Sequence, residues 1–160
     1  MVAPNASESW IDDVFDAVVS EVQRSNYFRT VIAHEPKRKP GHGLTAAIWV
    51  QNIAPFVARS GLSVTSGVLI FIIRIYSNML KEPQDAIDPE MLRAVSNLMR
   101  TFHDDFDFDL PDIISNVDLL GAAGTPLNAQ AGYLEHDTVM FRIYDITLPL
   151  IIHDVWPQAK

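Results

Sequence analysis

Asp105, Asp107 and Asp109 are the residues best spaced for chemistry. Their 1-3-5 spacing is that of a calcium loop, in which carboxylates converge on one hard cation. The rest of that pattern is missing. Leu110 occupies the position that needs glycine, and Asn116 stands at position 12, where a bidentate glutamate belongs. A solvated acidic loop with Phe106 and Phe108 tucked inward is the simpler expectation, so no metal site is assigned. The five histidines, His34, His42, His103, His136 and His153, contain no i, i+4 pair and no H-E-x-x-H. His34 and His42 would meet only across a hairpin, with Glu35 as the one nearby carboxylate. His153-Asp154 has no nucleophile in sight. GAAGTP (121–126) lacks the Lys-Ser/Thr of a phosphate loop, and there is no G-x-S-x-G. Spacing forces no two carboxylates into distinct environments. Neither an enzyme nor a cofactor is expected.

One basic feature stands out, the run Lys37, Arg38, Lys39. It reads either as a solvated loop or as a docking arm for an acidic partner, a second copy of this acidic chain included. Complementary charges on one polypeptide suit head-to-tail contacts. The chain carries a net charge of -8 at pH 7. Residues 1–80 hold 7 Lys+Arg against 6 Asp+Glu, and residues 81–160 hold 5 against 14. The deficit therefore lies in the second half. Broad binding to nucleic acid is excluded by that balance, because neutralising phosphates needs local positive charge.

The element that positions everything else is the apolar run at 64–78, VTSGVLIFIIRIYSN. Its Ile, Val and Phe content favours a strand, and apolar residues on both pleat faces imply a central strand covered on both sides. At about 3.3 Å per residue it would extend roughly 50 Å, so part of it is expected to protrude or to pair beyond the core. Before it, Ile11, Val14, Phe15, Val18, Val19 and Val22 form one stripe of an amphipathic helix from Ser7 or Ser9 to about Asn26. Residues 28–34 read as a strand and HEPKRKPGHG (34–43) as a hairpin tip or exposed loop. Residues 44–57 read as a strand, with Gln51-Asn52 and Pro55 marking an edge, a bulge or the strand end.

After a linker at 81–89, Asp88-Pro89 opens a second helix. Its stripe is Ile87, Met91, Ala94, Val95, Leu98, Met99 and Phe102, and it ends near His103. A short strand is expected within 113–120, a small-residue loop over 121–132, and a strand beginning at Tyr133-Leu134. The last long strand runs over 139–152, with Pro149 demoting its far end to an edge or bulge. The order α-β-β-β-α-β-β predicts one α+β domain over 1–160, a mostly antiparallel sheet with two main helices packed on it. The apolar content of 48% supports a real core. No run reaches the ~18 uncharged apolar residues of a membrane helix, and the N-terminus shows no secretory signal pattern. With no cysteine, disulfides and thiolate metal sites are excluded.

Three stretches of the second half, RIYSNMLKEPQDAIDPEML (74–92), NVDLLGAAGTPLNAQAGYLEHD (116–137) and FRIYDITLPLIIHDVW (141–156), resemble tail terminator proteins of long-tailed bacteriophages, especially those of actinobacterial hosts. The resemblance covers about half the chain. The first half agrees only in element order, and PKRKP matches no family motif. The resemblance implies a small α+β virion protein that assembles in the host cytoplasm into a hexameric ring. Such a ring caps the head-proximal end of the tail tube, stops tube polymerisation and docks to the head-completion or connector complex. DNA passes through its lumen without specific binding. An acidic balance suits such a channel, since like charge repels phosphate within a Debye length of about 10 Å. The loops at 35–43, 104–112 and 121–132 are the expected partner surfaces, with Lys37, Arg38, Lys39, Asp105, Asp107 and Asp109 as candidate contacts. The competing readings are another neck or tail component, such as a head-closure protein or tube subunit, and a small metal-dependent enzyme or ligand-binding module.

Overall fold

The structure, a computed structural model, describes residues 9–37, 40, 43–56, 64–78, 87–105 and 107–157. The chain is α+β, and its described residues form six strands in one mixed, curled sheet and two helices. Helix α1 spans Ser9–Arg24 and buries one residue per turn: Val14, Val18 and Val22 of the predicted stripe, and Trp10, which that stripe did not include. It stops where Asn26 turns left-handed at φ 61, with the Ser25 hydroxyl donating to the Val22 carbonyl at 2.7 Å. Helix α2 spans Ile87–Asp104 and buries Ile87, Met91, Ala94, Val95, Leu98 and Phe102.

Strands β1 (Thr30–Ile32), β2 (Thr45–Pro55), β3 (Val64–Asn78), β4 (Ile114–Val117), β5 (Asn128–His136) and β6 (Val139–Pro157) form the sheet. Its order is β1-β2-β3-β6-β4, with β5 also on β6. Four of the five pairings are antiparallel. The long central strand is fully used. β3 pairs with β2 on one side and runs along the 19-residue β6 from Val64↔Pro157 to Asn78↔Phe141 on the other. It does not protrude, because β6 is longer still.

Both helices lie on one face. Leu69, Phe71, Ile73 and Ile75 of β3 join Ile146, Leu148, Leu150 and Ile152 of β6 beneath them in one apolar core. Among the described residues no helix covers the opposite face, yet Val68, Ile70, Ile72 and Tyr76 are buried there. The curl of the sheet does this. Around Tyr76 it gathers Ala47, Phe141 and Ile143, with Ile32 and Leu134 from the flanking strands packed against them. The expectation of cover on both sides therefore holds, by curvature rather than by a second layer of helices.

Three local expectations are corrected. β1 and β2 are parallel, Thr30 opposite Thr45, so 33–44 is a crossover of about a dozen residues and not a hairpin tip. The stretch 128–132, read as loop for its small residues, is the first half of β5. The strand expected from Tyr133 therefore begins five residues earlier, at Asn128. Its register with β6 is fixed by a two-residue turn, Asp137-Thr138, with φ 50 and 65, the left-handed pair of a tight hairpin. Pro149 sits in the middle of β6, opposite Ile70, rather than at an edge. Its carbonyl accepts the Asp118 amide at 2.9 Å, so its nitrogen faces the same side, between the end of β5 pairing at Thr147 and the start of β4 pairing at Leu150. No ladder bond is lost there. Of the edge, bulge or strand end that Gln51-Asn52 and Pro55 left open, the structure has a bulge between Val50 and Asn52 and ends β2 at Pro55. Among the described residues, no helix is long and apolar enough to cross a membrane.

Candidate partner-binding surfaces

The acidic turn follows α2. Phe108 and Asp109 are both left-handed, at φ 53 and 58, which folds the chain back on itself. The Asp109 amide donates to Asp107 Oδ1 at 3.1 Å and the Leu110 amide to the Asp107 carbonyl at 2.9 Å. Phe108 is driven inward, 5.7 Å from the Phe102 ring, as its apolar surface demands. Phe106 lies outside the described residues. The three aspartates converge, with ligand atoms within 4.8 Å of one another. Glu21 from α1 joins them. Burial, then the charges of Asp105 and Asp109, push the Glu21 carboxyl above its ordinary range, while Arg24, 2.6 Å away, opposes this. Asp105 is likewise raised, by burial first and then by Asp109 and Asp107. Asn116 takes no part. It lies in β4 opposite Ile151, and its amide donates to the Val117 carbonyl. The twelve-residue calcium loop is thus cut short by a strand.

The basic segment is the β1–β2 crossover. Lys37 is exposed. Arg38, Lys39 and His42 lie outside the described residues. The Pro36 carbonyl sits 3.4 Å from His136 Nε2 at the end of β5, which ties the crossover to the β5–β6 hairpin. His136 Nδ1 is 3.4 Å from Asp137 Oδ2 and makes no hydrogen bond.

The third surface, 118–127, is organised by a residue that spacing did not single out. Asp118 is buried, and its carboxylate accepts the amides of Gly121 (3.1 Å), Ala122 (2.8 Å) and Ala123 (2.9 Å). Its own carbonyl accepts the Leu127 amide at 3.1 Å. Gly121, at φ 83 with Pro126 N 3.1 Å from where a Cβ would stand, makes the turn possible. The signal was present in the sequence, as an aspartate placed just before a Gly-rich turn whose amides need an acceptor.

A second missed feature is the ion pair on the helix-free face. Arg74 meets Asp145 through two parallel bonds, Nε–Oδ1 at 2.6 Å and Nη2–Oδ2 at 3.0 Å. They are direct cross-strand partners of β3 and β6. The Trp49 ring lies 5.3 Å from the guanidinium, and burial pushes the neighbouring Tyr76 phenol up. Such a pair fixes register more than it adds stability. Arg142 plays a similar part, bonding Asp88 at 3.0 Å beside the Tyr133 ring, at 4.5 Å, and so fastening the start of α2 to the sheet.

The six candidate contacts therefore fall on two separate segments. The three aspartates come together. Of the basic run, only Lys37 is described. Compared with known proteins, the chain matches no family model and no curated sequence.

Proposed function

We propose that this chain is a structural subunit of a phage tail. In this reading, copies form a ring, six being the expected number, that caps the head-proximal end of the tail tube, stops its polymerisation and docks to the head-completion complex. The tube protein lies on one side of the ring, the connector protein on the other, and DNA passes through the lumen. The observation that carries this reading is the resemblance of 74–92, 116–137 and 141–156 to tail terminators. The fold lends support because those three stretches are neighbours. They supply the end of β3, the start of α2, the Asp118 loop, β5 and nearly all of β6, and they are cross-tied by Arg74–Asp145 and Arg142–Asp88. They form one structural unit rather than scattered phrases. Among the rival structural roles, a tube subunit differs by forming long polymers where a terminator forms closed rings.

The test is molar mass in solution by light scattering, with negative-stain imaging of any large species, before and after adding purified tail tubes. Closed rings of about six copies, or caps at tube ends, are the expected result. Open-ended tubes move the assignment to a tube protein. A monomer that ignores tail tubes overturns the reading.

A further inference from the structure

We draw no further inference here: the strongest candidate, the side-chain cluster of Asp105, Asp107 and Asp109 in the turn between α2 and β4 with Glu21 of α1 beside it, is a group of acidic residues with no second feature among the described residues that points to a ligand.

Discussion

Two turns flank β4, and both are built around aspartate. In the turn after it, one buried carboxylate accepts three backbone amides and draws the loop shut. In the turn before it, three carboxylates and Glu21 crowd together with Arg24 as the near cation, and burial and mutual repulsion raise Asp105 and Glu21. The residue type is the same, and the sign of its contribution is opposite. A carboxylate stabilises a turn when the backbone supplies donors pointed at it, and burdens the turn when its neighbours are other carboxylates.

The largest break in that contrast comes at Asp118. Asp118→Ala leaves three amides without their acceptor, and we expect a loss of about 3 kcal/mol, given roughly 1.5–3 kcal/mol for a bond to a charged group and strong non-additivity. For a domain of this size that is a fall in Tm of about 6–12 °C. Asp118→Asn is expected to cost about half as much. Its oxygen can keep the amides of Gly121 and Ala122, while its NH2 meets the Ala123 amide as donor against donor. Equal Tm values for the two variants would mean that the carboxylate is not what closes the loop.

The acidic turn is held by its aromatic residue instead. Phe108 is buried against Phe102 although it must adopt a left-handed backbone to reach it. Phe108→Ala is expected to cost about 3 kcal/mol in urea unfolding, for a lost ring with partial collapse. Phe108→Gly loses the same ring but also the left-handed penalty, so it should be the more stable of the two by about 1 kcal/mol. The opposite order, with Ala more stable than Gly, would show that the backbone there is not under strain.

How far these turns were legible differs with the physics behind them. Periodicity located α1 and α2, because burying an apolar stripe leaves a trace every few residues in the chain itself, and long apolar, β-branched runs located β3 and β6. The apolar ring of Phe108 within an acidic loop was enough to place it inward. Small residues at Ala129, Ala131 and Gly132 hid the first half of β5, since strand pairing there is dictated by β6 and by the Asp137-Thr138 turn rather than by side-chain preference. The parallel course of β1 escaped because nothing local records whether a connection crosses over or turns back. Arg74 and Asp145 sit 71 residues apart, and their pairing exists only in the register of β3 on β6. Of the candidate contacts, spacing found the aspartate cluster but not its partner Glu21, which comes from another helix.

The smallest effect concerns that cluster and has a definite pH dependence. Asp105→Asn removes one charge from the crowded turn, and we expect a gain below about 1 kcal/mol near pH 7, seen as a rise in Tm of a few degrees at most, because these groups are partly solvated. The sign with pH follows from the raised carboxyl. Folded Asp105 binds its proton more readily than the unfolded chain does, so the native state loses stability as pH rises through that window and carries the full burden above it. Acidification relieves the burden in the wild type and leaves the variant with less to gain. The difference in Tm between the two should therefore be greatest at neutral pH, shrink as pH falls through the raised value, and vanish below the ordinary aspartate range. A gap that widens on acidification would mean that Asp105 is stabilised as an anion, and the contrast between the two turns would then lie in their hydrogen bonds alone.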